Sequence, residues 1–163
     1  MIDAIIEIPR NSRVKYEIDK TTNLVRVDRI LSTPMVYPFN YGFIPNTLSS
    51  DGDPLDVILL IEDALVPGCL IEINVIGVIY TTDDGEGDPK ILAVPSYKVN
   101  NNSNPYYQNL DDIPEFLMNK IEYFLTHYKD LEQKKVILNG KGDKDEAFIC
   151  YQESRQNYVD SLC

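Results

Sequence analysis

From Ser49 to Asp56 the chain reads Ser-Ser-Asp-Gly-Asp-Pro-Leu-Asp, which puts three carboxylates within six residues, and it then enters the apolar run Val57-Ile58-Leu59-Leu60-Ile61. Carboxylates this close repel and raise one another's pKa, so they need cations or water around them. Oxygen donors gathered at one turn suit a hard cation. Mg²⁺ fits best, because it takes one or two carboxylates per ion and fills its other positions with water and phosphate oxygens. A solvated turn ahead of a strand has the same composition, since Asp and Gly are ordinary turn residues. A calcium-binding EF-hand over Asp51 to Glu62 fails where that motif is most demanding: position six, which needs Gly for a sharp turn, is Asp56, and position five is Leu55.

A second acidic turn repeats the theme. Thr82-Asp83-Asp84-Gly85-Glu86-Gly87-Asp88-Pro89-Lys90 has four carboxylates in six residues, two glycines that allow tight turns, and a lysine that closes it before the strand Ile91 to Val94. Each acidic turn is hinged to a strand. If a barrel brings those strand ends together, five or six carboxylates line one cavity, enough for two or more divalent ions.

Cationic and phenolic groups stand elsewhere. In Val14-Lys15-Tyr16-Glu17-Ile18-Asp19, alternation sets Lys15, Glu17 and Asp19 on one face of a strand. There Lys15 could neutralise phosphate oxygens and Glu17 could hold hydrated metal, although an ordinary half-exposed strand carries the same pattern. Arg29 offers a guanidinium able to grip phosphate through two donors. Tyr37-Pro38-Phe39-Asn40-Tyr41-Gly42-Phe43-Ile44-Pro45 reads as a rigid irregular segment whose phenols can reach a polar partner.

The elements that must position these groups follow from periodicity. Short strands are expected over residues 4–8, 14–19, 24–31, 57–61, 70–80 and 91–94, with 14–19 and 24–31 forming a hairpin around Thr21-Thr22-Asn23. The polar, Asn-rich segment 100–112 is expected to be a loop. Asp112 with Glu115 marks a helix N-terminus, and Leu117, Ile121, Phe124, Tyr128 and Leu131 form the stripe of a core-packed helix. Tyr128 is thus a core candidate first and a site residue second. Lys129 beside it could swing toward the barrel mouth, and His127 reads as a helix-surface residue. A weaker amphipathic helix is expected within 143–162, around Ala147, Tyr151, Tyr158 and Leu162.

At 163 residues the chain is expected to be a single domain spanning 1–163, large enough to bury a core without staples. Its 26 acidic and 15 basic residues give a net charge of −11, which repels nucleic acid and anionic membrane alike. A polyanionic partner must meet a local cationic or metal-filled site. Three scattered cysteines and one histidine make no zinc set and point to a reducing cytoplasm. No apolar run approaches the ~20 residues of a membrane span.

Taken together, these blocks resemble the family I soluble inorganic pyrophosphatases, bacterial type. The family's acidic signature is present as Asp51-Gly52-Asp53-Pro54-Leu55-Asp56. Glu7-Ile8-Pro9, Lys15-Tyr16-Glu17, Asp28-Arg29, Tyr37 to Gly42, Asp83 to Lys90 and His127-Tyr128-Lys129-Asp130-Leu131 agree in order and character. The resemblance implies an α+β, mainly β fold: a five-stranded OB-like β-barrel flanked by two helices. It implies Mg²⁺-dependent hydrolysis of inorganic pyrophosphate to two orthophosphates, with several ions per site. By it, Asp51, Asp56 and Asp88 hold a first metal, Asp56 shares a second, Asp83 and Asp88 take a third, and Glu7 takes a fourth through water. Asp53 is then the general base. Lys15, Arg29, Tyr41, Lys90, Tyr128 and Lys129 bind phosphate oxygens, with Glu17, Tyr37 and Asp84 in support. Asp84 stands where many relatives have Glu, and the tail lacks their tryptophan-bearing stretch. The short chain looks like those that form homohexamers from trimers. A hydrolase for another phosphoanhydride or a nucleotide is the alternative enzyme, and a silent OB-like binding module is the alternative from another class.

Overall fold

The computed structural model describes residues 1–100 and 107–163. Part of the expected Asn-rich loop, residues 101–106, lies outside the described residues. In chain order the elements are β1 (Ile2–Ile8), β2 (Val14–Ile18), β3 (Val25–Ile30), β4 (Asn40–Ile44), β5 (Leu55–Leu59), β6 (Leu70–Asp83), β7 (Glu86–Gly87), β8 (Lys90–Pro95), α1 (Glu115–His127), β9 (Val136–Gly142) and α2 (Lys144–Ser161).

Five strands close into a ring in the order β1-β4-β5-β8-β6, with β6 pairing back to β1 through Ile2 opposite Ile73. Closure leaves none of these five with an open edge. Around the ring the β5–β8 pair is parallel, and the other pairings are antiparallel. β7 and β9 extend β6 at its far end, while β2 and β3 form a separate two-stranded hairpin.

Both faces of β5 and β8 are covered, which is why their sequences are continuous apolar runs. Ile58, Leu92 and Val94 join a core shared with Phe124 and Ile121 of α1. Val57, Leu59, Ile91 and Ala93 join a second core that includes Ala147 of α2. Asp56 and Lys90, two residues before Ile58 and Leu92, therefore fall on the α1 side of the sheet.

Several expectations need correction. Residues 40–44 are a regular strand, not irregular structure: Asn40, Gly42 and Ile44 are buried, and the prolines lie just outside. Helix α1 starts at Glu115 with Pro114 as its cap, because the Asp112 carboxylate turns back to accept from the Gln108 and Asn109 amides at 2.8 and 2.9 Å. The apolar stripe ends at Tyr128, the C-cap; Leu131 lies past it on a short 3-10 turn and is 65% exposed. Strand β9 is an element that periodicity does not predict. α2 forms as expected, opened by Asp143, whose carboxylate accepts from the Asp145 and Glu146 amides, although Leu162 is exposed. No helix among the described residues is long and apolar enough to cross a membrane.

Candidate active site

The parallel β5–β8 pairing creates the site. Its register sets Asp56 opposite Lys90, so the turn carrying Asp51 and Asp53 and the turn carrying Asp83 to Asp88 enter the sheet side by side. Two acidic segments about thirty residues apart thereby face one another, as an ion-binding cavity requires.

Lys90 stands at the centre, 3% exposed. Its ammonium donates to Asp56 Oδ2 and Asp88 Oδ2, both at 2.9 Å, and to the Tyr41 hydroxyl at 2.6 Å. Tyr41 in turn donates to Asp56 Oδ2 at 2.7 Å. Burial alone would push the lysine's pKa down, yet Asp56 and Asp88 hold it above the ordinary lysine value. Asp88 is pushed up to about 6 by burial, against the pull of Lys90 and with the repulsion of Asp56 added. Burial also raises Asp51, whose Oδ1 accepts from the Asp53 amide at 3.0 Å.

Glu7 comes from β1 by a β-bulge. Ile6 pairs with Gly42 and Ile8 with Tyr41, so Glu7 is the extra residue, and a bulge re-aims its side chain. Gly42 is required there: a Cβ would lie 1.9 Å from the Ile5 carbonyl oxygen. The Glu7 carboxylate accepts from the Ile18 amide at 2.8 Å, which ties β1 to the hairpin. Burial pushes its pKa up to about 7, with the negative charge of Asp56 and Glu17 adding to the effect.

A shift of that sign has a stability consequence. Between 4.5 and about 7 the folded chain holds a proton on Glu7 that the unfolded chain has released, so in the metal-free protein stability falls as pH rises through this window. Glu7→Gln removes the buried charge and keeps an acceptor for Ile18. In chelator at pH 8 its melting temperature is expected to exceed that of the unsubstituted chain by roughly 2–6 °C, and the two should converge at pH 5. A Glu7→Gln variant no more stable at pH 8 would contradict the burial of an ionised Glu7.

The hairpin forms the opposite wall. A bulge in β3 makes Asp28 the extra residue, since Lys15 pairs with Arg29 and Tyr16 with Val27. Asp28 Oδ2 then lies 3.3 Å from Lys15 Nζ and accepts from Arg29 Nε at 2.9 Å. Partial burial works against the Asp28 charge, but Lys15 and Arg29 hold its pKa below the usual carboxylate range. Partial burial lifts Glu17; Lys15 opposes the shift, while the neighbouring Asp28 adds to it. Lys15 and Glu17 thus share a face as alternation requires, whereas Asp19 turns away to accept from the Thr21 and Thr22 amides and Arg26.

From the end of α1, Tyr128 packs its ring against Phe124 at 4.9 Å and is buried in the core. Lys129 reaches Asp83 at 2.5 Å. Tyr37 is buried against Phe124, Tyr41 and Tyr128. His127 is a helix-surface residue that contacts Asp130 at 2.7 Å. Asp53 projects outward, its carboxylate 66% exposed and 3.4 Å from Lys20.

Asp84 is the predicted residue left apart. It sits at the exposed β6–β7 turn in the left-handed region (φ 52°), with its amide bonded to the Lys135 carbonyl. Among the described residues its carboxylate has no hydrogen-bond or ion-pair partner. Three contacts escaped sequence reasoning: Asp28 between two cations, Lys20 near Asp53, and Glu132, which accepts from Arg29 Nη1 at 2.7 Å. Asp28 adjoins Arg29 in sequence, a usable signal, whereas nothing local marks Lys20 or Glu132.

The donors fit Mg²⁺. They are carboxylate oxygens alone, and the burial that raises Glu7, Asp51 and Asp88 is what a divalent cation would offset. Among the described residues no group of three acidic, Cys or His side chains is arranged to hold a metal ion.

A family model described as inorganic pyrophosphatase matches residues 4–159. An inorganic pyrophosphatase of Saccharolobus solfataricus is 48% identical over 150 residues, covering 90% of this chain and 85% of that protein. One from Agrobacterium fabrum is 46% identical over 159 residues, covering 96% and 89%. Among solved structures, the inorganic pyrophosphatase of Helicobacter pylori superposes with a TM-score of 0.93 at 36% identity, covering 96% of this chain and 92% of that one. With archaeal and bacterial relatives this similar along nearly its whole length, the chain belongs to the inorganic pyrophosphatase family.

Proposed function

We propose that this chain, an inorganic diphosphatase by family, splits pyrophosphate into two orthophosphates between the two acidic turns, with Asp53 as general base. The observation that carries this reading is the Asp56–Lys90 register, which sets both acidic turns beside the lysines that can receive phosphate. Asp51, Asp56, Asp83 and Asp88 would hold Mg²⁺, with Glu7 contributing through water. When bound, Mg²⁺ neutralises phosphate charge and lowers the pKa of the attacking water.

The chain's own groups do the rest. Asp53 is solvent-facing and its nearest cation, Lys20, is 3.4 Å away, so the carboxylate is free to take a proton from water within hydrogen-bond reach. Lys15, Arg29, Lys90 and Lys129 present positive charge, and Tyr41 and Tyr128 present hydroxyls, toward the phosphate oxygens. Because Tyr41 and Tyr128 have pKa values raised by burial, they stay protonated donors. Positive charge kept near the departing phosphate stabilises the leaving group. Glu17 supports Lys15, and Tyr37 packs behind Tyr41; Asp84 is assigned a supporting role from the acidic turn.

Phosphate release from pyrophosphate by purified protein, with and without Mg²⁺, tests the reading. Release that needs Mg²⁺ and that Asp56→Asn suppresses supports it. Release that survives exhaustive chelation would overturn the metal assignment, and faster release from a nucleotide than from pyrophosphate would move the substrate.

The whole chain is proposed to act as one domain, in the cytoplasm, where its three free cysteines stay reduced. Pyrophosphate is the proposed partner of the site, while the chain's overall net charge of −11 disfavours nucleic acid and anionic membrane. A homohexamer, a dimer of trimers, is proposed from the family resemblance; the exposed apolar side chains Leu24, Val27, Ile30 and Val66 offer surface for contacts between copies. Sedimentation equilibrium is expected to give six chain masses; a monomer at micromolar concentration would refute the assembly.

A further inference from the structure

We infer that Glu132 is a positioning residue for pyrophosphate hydrolysis: it fixes the Arg29 guanidinium between the β2–β3 hairpin and the turn after α1. The inference rests on the phosphate-binding role proposed for Arg29.

Arg29 has a long, flexible side chain on a hairpin that belongs to neither core. β3 is largely exposed, and the hairpin pairs with no strand of the ring. Left alone, such a guanidinium samples many rotamers, and each phosphate contact would have to order it. Two carboxylates remove that freedom. Asp28, re-aimed by the bulge, accepts from Nε at 2.9 Å; Glu132, 103 residues away in the chain, accepts from Nη1 at 2.7 Å. Because the guanidinium is planar with a fixed fork of donors, two acceptors on different nitrogens set both its position and its plane. Among the described residues Nη2 has no hydrogen-bond partner, so its donors remain for phosphate.

Glu132 suits this task by its place in the chain. It ends the 3-10 turn Asp130–Glu132, whose cap is Lys129, and Lys129 directly follows Tyr128. One carboxylate therefore sets the distance between a cation on the hairpin and a cation and a phenol at the end of α1. Its side chain is only 18% exposed, and its second oxygen is buried with no hydrogen-bond partner among the described residues. A carboxylate half satisfied in this way is a poor stabilising device. Its protein contacts are committed to Arg29.

The test is a double-mutant cycle in the full chain with saturating Mg²⁺, reading kcat and KM for pyrophosphate, using Glu132→Ala, Glu132→Gln, Arg29→Ala and the Glu132→Ala/Arg29→Ala pair. Glu132→Ala is expected to lower kcat/KM by about 10- to 100-fold, the cost of misplacing a contact group. Glu132→Gln, whose amide oxygen still accepts from Nη1, should recover to within about threefold of the unsubstituted chain. In the Arg29→Ala background, Glu132→Ala should change kcat/KM by less than about twofold. Equal losses in both backgrounds would overturn the inference, since Glu132 would then act independently of Arg29. So would full activity in Glu132→Ala beside an impaired Arg29→Ala, a result that would leave the role of Arg29 standing. Full activity in Arg29→Ala would remove the role of Arg29 and the inference with it.

Discussion

Replacing Asp53 with Asn is expected to lower kcat for pyrophosphate by about 10²- to 10⁴-fold, the range for loss of a general base. The fold should hardly register the change. Asp53 lies at an exposed turn, and its structural bonds are made by its backbone, whose amide donates to Asp51 and whose carbonyl accepts from Ser49. Asn keeps both; it loses the ability to take a proton and the exposed ion pair with Lys20, which is worth little at the surface. The melting temperature should therefore stay within about 2 °C of the unsubstituted chain. A fall of less than tenfold would assign the base elsewhere.

Replacing Lys90 with Met should act in the opposite way, on the fold as much as on the chemistry. Lys90 is buried and is the cross-strand partner of Asp56. Methionine preserves the stem's volume but leaves Asp56 and Asp88 facing one another without their shared cation. Removing one partner of a buried ion pair costs about 3–5 kcal/mol, because the remaining charges stay desolvated. Urea denaturation in chelator should show a loss of that order, and added Mg²⁺ should recover part of it. Activity should fall too, since Lys90 is among the groups assigned to phosphate. A loss below about 1 kcal/mol would mean that the carboxylates release their charge more cheaply than the buried geometry requires.

The parts of the site that could be read from the chain are those encoded locally. Asp51 to Asp56 and Asp83 to Lys90 announce themselves by composition, and the alternation around Lys15 and Glu17 places both on one face, where the structure has them. What could not be read is long-range. No local pattern states that β5 lies parallel to β8, and without that pairing the two acidic turns are two loops. The bulges at Glu7 and Asp28 are also silent in sequence, because a bulge is a property of the pair of strands. β9 escapes periodicity for a different reason. Only Val136, Ile137 and Leu138 read as strand, and Asn139-Gly140 reads as a turn, although pairing with β6 carries the strand through to Gly142. Leu131 misleads by continuing the helical spacing beyond the point where Tyr128 has already closed the helix.

The closed ring has a bearing on how the protein is assembled. β5 and β8 are neighbours in the sheet, but all of β6 lies between them in the chain. During folding the two acidic segments therefore remain apart until the non-local β5–β8 pairing forms, and contacts between distant parts of the chain are slower than local ones. Their mutual repulsion is met when that pairing forms. Divalent ions that bind only the native site offset that repulsion, so Mg²⁺ is expected to raise the stability of the folded chain as well as to serve catalysis.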